Sequence, residues 1–174
     1  MIGLHTPPRP LVPGEDDARL ARMFQRLSRE TVLRRFFTLV PKLEGPLLRA
    51  LTDVDHDNHE ALVVTVGDEI VAVASYHRNR DDPTVADVAV VVEDGWQHTG
   101  LGRRLTAQLS RLARDRGIER FHADVLADNR AALGLIHRMN QHSSGRFEHG
   151  EIVYDLPLSP PPSGSASAPL DRAA

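Results

Sequence analysis

Gly100 and Gly102 stand where a β-branched run, Val88-Ala89-Val90-Val91-Val92, gives way through Glu93-Asp94-Gly95-Trp96-Gln97-His98-Thr99 to a segment with helical spacing. Strand, glycine-bearing loop and helix together make an anion cradle. The first amide N–H groups of a helix have no partners inside it, and the aligned peptide dipoles leave roughly half a positive charge at that end, so backbone alone can hold a phosphate. Glycine lets the ligand approach the main chain closely, and Arg103 and Arg104 add local positive charge. Two carboxylates lie within reach in sequence, Asp87 at the entrance of the same strand and Asp124 on the next one. Either could take part in proton transfer. Asn129, ahead of a further helical segment, sits at an ordinary N-cap position.

Gln97, Gly100 and Gly102 fit the Gln/Arg-x-x-Gly-x-Gly/Ala loop of the GNAT acetyltransferase superfamily, and the order of flanking segments adds to the match. Arg35-Phe36-Phe37, Asp53-Val54-Asp55, Val85-Ala86-Asp87-Val88-Ala89 and Asp128-Asn129-Arg130-Ala131 are similar to segments of the GNAT domains in bacterial protein-lysine acetyltransferases. The chain resembles that branch from about Arg35 to Leu156.

The resemblance implies a single α/β domain, with a central mixed, mostly antiparallel sheet flanked by helices. It implies acetyl transfer from acetyl-CoA to a primary amine, with a protein lysine as the favoured acceptor, and no metal. Gln97, His98, Thr99, Gly100, Leu101, Gly102 and Arg103 are then the pyrophosphate loop, and main-chain groups around Val90, Val91 and Val92 hold the pantetheine arm. Asn129 matches an asparagine that often contacts the arm. Asp87 matches the acidic base of the similar enzymes, one methylene shorter than their glutamate, and Asp124 is its rival. A lysine amine, with a pKa of about 10.4, is almost wholly protonated at neutral pH, so such a base is the largest chemical requirement.

The chain also departs from the family. Ile136 stands where many relatives have a tyrosine that protonates the leaving thiolate; His98 and Thr99 replace small and basic loop residues; Asn140-Gln141 replaces a Gly-Phe pair. An alkyl thiol has a pKa of about 8.5, so its thiolate can leave without an acid at modest cost. Three functions therefore stay open: a protein acetyltransferase, a non-catalytic acyl-CoA sensor, and an enzyme for small amines such as polyamines or aminoglycosides.

Other readings are weaker. Gly100-Leu101-Gly102 with Asp124 downstream is also like a dinucleotide fingerprint, but a polar loop parts it from its strand and Leu105 takes the place of the third glycine. Asp55-His56-Asp57-Asn58-His59 contains metal-ligand types, yet its spacing matches no closed site and reads as a polar loop. His137 reads as a surface residue and Trp96 as a packing anchor beside the cradle.

At 174 residues, 41% hydrophobic and 26% charged, the chain suits one globular domain. It has no cysteine, which removes disulfides, thiolate metal sites and a cysteine nucleophile, and so agrees with direct attack rather than an acyl-enzyme. A net charge of −3 gives no footprint for nucleic acid. No apolar run is long enough for a membrane span and no signal peptide is evident, so a cytoplasmic protein without membrane or nucleic-acid partners is expected. Lys42 is the only lysine among many arginines, as in proteins of high-GC bacterial genomes.

The elements that must position these residues follow from periodicity. Residues 1–14, with Pro7, Pro8, Pro10 and Pro13, read as an extended lead-in in which a first strand would be short and irregular. The domain is expected over 15–158. Helices are expected over Glu15–Leu27, from a Ser28 cap to Phe37, around Leu47–Leu51, from Leu101 to a stop at Gly117, and from Asp128 to about Met139. Strands are expected over Ala61–Val66 and Ile70–Tyr76 about a Gly67-Asp68 turn, then Val85–Val92, Phe121–Leu126 and a closing hairpin over Arg146–Leu156 containing Gly150. Residues 159–174, rich in Pro, Ser and Ala, read as a disordered tail.

Overall fold

The structure, a computed structural model, describes residues 6–139 and 143–158. The expected tail over 159–174 and the Asn140-Gln141 pair lie outside the described residues. Seven strands form one sheet: β1 (Arg9–Pro10), β2 (His59–Val66), β3 (Glu69–Arg78), β4 (Val85–Val92), β5 (Arg120–Leu126), β6 (Ser144–Glu148) and β7 (Glu151–Pro157), in the order β1-β2-β3-β4-β5-β7-β6. Every neighbouring pair is antiparallel except β4 and β5, which run parallel. The mixed, mostly antiparallel α/β sheet is the expected one.

Side chains alternate across a strand, and here the alternation sorts two cores. Leu62, Val64, Ala72, Ala74 and Tyr76 pack on one face against Leu101, Leu105, Leu109 and Ala113 of α4 (Leu101–Asp115). Ala61, Val63 and Ile70 pack on the other against α1 (Asp17–Arg26) and α2 (Arg29–Phe36), with α3 (Gly45–Thr52) alongside. A fifth helix, α5 (Arg130–Met139), buries Ile136 against Ala123, Val125 and Tyr154 of β5 and β7. Ser28 caps α2 as expected, its hydroxyl accepting from the Thr31 amide at 3.2 Å.

The proline-rich start holds the short first strand expected of it. Arg9 and Pro10 pair with Val63 and Leu62, and Leu11 is fully buried. Proline is tolerated there because the strand is at the sheet edge, so one side needs no N–H donor.

Asp16 fixes this start to α1. Its fully buried carboxylate accepts from both Arg9 guanidinium nitrogens (2.6 and 2.8 Å), from Arg19 (3.2 Å) and from the Val12 amide (2.9 Å). The Arg9 hydrogen bonds, opposed by desolvation and aided by the Val12 amide, lower its pKa to about 2. A depressed carboxylate stabilises the fold above its unfolded pKa of about 3.9, and that contribution is lost as pH falls towards the folded value. Asp16→Asn should cost about 2 kcal/mol at neutral pH by urea denaturation, and the gap to wild type should close between about pH 4 and 2.

Candidate active site

The site is built where β4 and β5 part. Their parallel pairing is confined to Val85–Asp87 against Arg120–His122, while β4 continues to Val92 beside β3 and β5 to Leu126 beside β7. The Glu93 amide donates to the Val71 carbonyl at 2.9 Å, so by alternation Val91 and Ala89 spend their backbone groups on β3, and those of Val88, Val90 and Val92 face the gap. Of the three valines assigned to the pantetheine arm, Val90 and Val92 therefore have main chain on the open side and Val91 does not.

Beside the gap lies a cavity of about 760 Å³, lined from β4, β5, α4 and α5 by residues that include Val88, Val90, Ala123, Asn129 and Ile136. Asp87 and Asp124 line it too, so both carboxylates singled out from sequence meet in one space. Asp87 is exposed and accepts no hydrogen bond among the described residues, which leaves its oxygens free for an amine or a water. Asp124 is exposed as well but has a neighbour: its carboxylate lies 3.5 Å from His122 Nε2, and His122 Nδ1 lies 3.4 Å from Asp155.

The cradle sits at the far end of β4. Gly100 is the N-cap of α4 with φ +88°, and no side chain caps the helix, so its first amides stay open. A Cβ on Gly100 would meet nothing within 4 Å, and one on Gly102 would only touch Leu135 and Val92 at 3.5 and 3.9 Å. Open space over uncapped N–H groups fits a pyrophosphate. His98 has a left-handed backbone (φ 61°) and is exposed, as are Thr99 and Gly100; Leu101 is buried in the core under α4.

Gln97 is turned inward. Its amide nitrogen donates to the Val92 carbonyl (3.1 Å) and to the Thr31 hydroxyl (3.3 Å), which ties the loop to β4 and to α2 rather than offering the side chain to a phosphate. Asp94 completes the tie, accepting from the Ser28 amide and hydroxyl and from the Thr31 hydroxyl. The loop sequence gave no sign of this role for Asp94, whose partners are more than sixty residues away. Asn129 is the N-cap of α5 in the ordinary sense, its Oδ1 accepting from the Ala132 amide at 3.2 Å, and its NH2 has no partner among the described residues.

The cavity also gathers residues to which the sequence assigns no role. Arg35 reaches it from α2, His77 from β3 and His122 from β5. His77 faces Asp87 directly across the β3–β4 ladder and stacks on His59 at 3.6 Å; burial lowers the pKa of both imidazoles. Only the strand register brings them there. His59 Nδ1 donates to the Asp53 carbonyl at 2.9 Å, and Asp55 accepts from the Asp57 and His59 amides, so the Asp55–His59 segment is a hydrogen-bonded loop. Trp96 packs against the α4 core and His137 is exposed, as expected.

The family model described as acetyltransferase (GNAT) family matches residues 21–140. The chain belongs to that family. Acetyltransferase Pat of Mycolicibacterium smegmatis is 35% identical over 133 residues, covering 75% of this chain and 39% of that protein. The chain thus spans about two fifths of its curated relative. The GNAT domain of S. lividans PAT superposes with a TM-score of 0.78 at 28% identity, covering 86% of this chain and 89% of that one. A cAMP-binding acyltransferase from Mycobacterium smegmatis gives 0.61 at 30% identity, over 88% of this chain and 43% of that one. The GNAT family takes acetyl-CoA as cosubstrate. In this GNAT domain Ile136 is buried at the cavity wall, a position from which it can exclude water but not donate a proton.

Proposed function

We propose that the protein transfers the acetyl group of acetyl-CoA to a lysine of a protein. The observation that carries this is the placement of Asp87 in the cavity where β4 leaves β5, at the opposite end of β4 from the cradle. On this reading the amides of Gly100, Leu101, Gly102 and Arg103 bind the pyrophosphate, with His98 and Thr99 forming the loop that presents them and Gln97 holding that loop in place. The Val92 N–H and the Val90 carbonyl pair with the pantetheine arm as an added strand would, Asn129 gives it a further donor, and the Val90 N–H polarises the thioester carbonyl.

Asp87 takes the proton from the acceptor ammonium, directly or through one water, which suits its exposed position and short side chain. The freed lone pair attacks the carbonyl carbon, the attached nitrogen gives up its second proton to solvent, the C–S bond breaks, and the thiolate leaves with the electron pair and takes a proton from solvent. The amide, coenzyme A and one proton are the products. The likeness to Pat and to the S. lividans PAT domain supports lysine as acceptor. The cAMP binding named for the M. smegmatis acyltransferase is a property of that protein, and no residue of this chain is assigned to it.

A second reading, an acyl-CoA sensor without turnover, is favoured by one observation, Ile136 at the place of the usual acid. Coenzyme A release over a panel of lysine peptides, polyamines and aminoglycosides separates the readings. Release with peptides is expected. Release with small amines alone would replace the substrate class, and tight acetyl-CoA binding with no release on any acceptor would make the sensor correct.

A further inference from the structure

Arg35 is a cation without an anion. It lies in the last turn of α2, partly buried, and among the described residues it makes no hydrogen bond and no ion pair. Its neighbours differ: Arg34 is held by Glu30, and Arg26 by Glu69 and Glu93. Its guanidinium carbon lies 4.9 Å from the Phe36 ring centroid, and burial, with no carboxylate opposing it, lowers its pKa. A buried charge left unpaired is costly, so its retention calls for a partner from outside.

Where Arg35 points decides what that partner is. It lines the large cavity together with Asp87 and His77, and α2 packs over β4 on the sheet face that carries Ala89 and Val91. The other end of α2, Ser28 and Thr31, is bonded to Asp94 at the cradle. Seven residues of helix separate Ser28 from Arg35, about 10 Å, which removes Arg35 from the pyrophosphate loop and places it on the side of the base. Phe37 follows with a left-handed backbone (φ 58°) and an exposed ring at the cavity rim, an uncommon state for a bulky residue.

We propose that Arg35 is a specificity residue for the acceptor: it receives a carboxylate carried close to the amine that is acetylated, from an acidic residue beside the target lysine. The inference rests on the acetyltransferase reading for the identity of the amine. A planar guanidinium takes a carboxylate through two parallel hydrogen bonds. One free guanidinium balances one negative charge; a phosphate dianion would call for a second, and Arg34 is already taken.

The test is calorimetry with coenzyme A bound, so that it does not depend on turnover. Two lysine peptides differ only in Glu or Gln on either side of the lysine; a second pair is Nα-acetyllysine and its amide. Wild type should bind the Glu peptide about tenfold more tightly, the scale of a charge-assisted hydrogen bond. Arg35→Gln should bind both peptides alike at the wild-type affinity for the Gln peptide, and Arg35→Lys should keep part of the preference. A preference seen instead in the acetyllysine pair, and lost in Arg35→Gln, keeps Arg35 as the carboxylate site and moves the source to the α-carboxylate. Equal affinities within both pairs for wild type, or a preference that survives in Arg35→Gln, overturns the proposal. Should Arg35→Gln not fold, the wild-type ratios and Arg35→Lys still decide. A preference without any acetyl transfer would sink the enzyme reading alone, and transfer without a preference would sink only the Arg35 site.

Discussion

Gly102→Asp should lower acetyl-CoA affinity by at least a hundredfold while leaving the fold intact. Gly102 has ordinary helical backbone, and an added Cβ would meet Leu135 and Val92 only at contact distance, so the substitution tests charge rather than strain. A carboxylate about 4 Å from a phosphate repels it by about 4 kcal/mol at the effective dielectric of a protein surface, which is nearly three orders of magnitude in affinity. Gly102→Ala adds the same Cβ without the charge and should bind within about tenfold of wild type. Gly100→Asp should be as damaging, but it adds a second cost, because φ +88° is a conformation that a residue with a Cβ adopts at about 1–2 kcal/mol. Titration calorimetry with a thermal melt on each variant separates these effects. Wild-type affinity in folded Gly102→Asp would mean that pyrophosphate does not lie over the start of α4.

How much of this arrangement could be read from the residues depends on whether the partners are near in sequence. The Ser28 cap, the Gly67 turn (φ 59°) and the alternation of β2 to β4 are local, and each forms as its residue types predict. The sequence pattern puts the start of α5 at Asp128, and the helix begins at Arg130 because Asn129 is the residue whose side chain reaches the Ala132 amide. The short, irregular first strand expected in the proline-rich start is β1 at Arg9–Pro10; what its residues do not show is its partner, because the edge that tolerates proline is defined by β2, far along the chain.

The site was legible for the same reason and to the same limit. The cradle is one continuous segment, and its glycines and open helix end are where the spacing puts them. Asp87 and Asp124 were readable as carboxylates on neighbouring strands. That the strands pair over three residues and then part is a matter of register, and it decides that Val90 rather than Val91 presents its backbone to the gap. Arg35, His77 and His122 come from three separate elements; the resemblance marks the Arg35-Phe36-Phe37 segment without giving it a role, and nothing in the immediate sequence marks the two histidines. Gln97 shows a different limit: the motif identifies the residue, but only the position of the Val92 carbonyl and the Thr31 hydroxyl shows that its side chain serves the loop.

Asp87→Asn should keep acetyl-CoA affinity and lower kcat by about a hundredfold or more, the usual scale for a positioned general base. Affinity is spared because Asp87 lies at the start of β4, while Gly100 and Gly102 follow its far end. The amide keeps the shape of the carboxylate but cannot take a proton, so the variant must rely on the small fraction of acceptor amine that is already neutral. That fraction rises about tenfold per pH unit below a lysine pKa of about 10.4, so the deficit should shrink steadily from pH 6 to 9. Asp124→Asn is the control, since Asp124 lines the same cavity but lies on β5 beside His122, 3.5 Å from its Nε2. Its loss should be smaller and without that pH trend. A wild-type rate for Asp87→Asn across the range, with a steep loss in Asp124→Asn, would move the base to β5, and the His122 and Asp155 side chains beside Asp124 would then be the groups that carry its proton away.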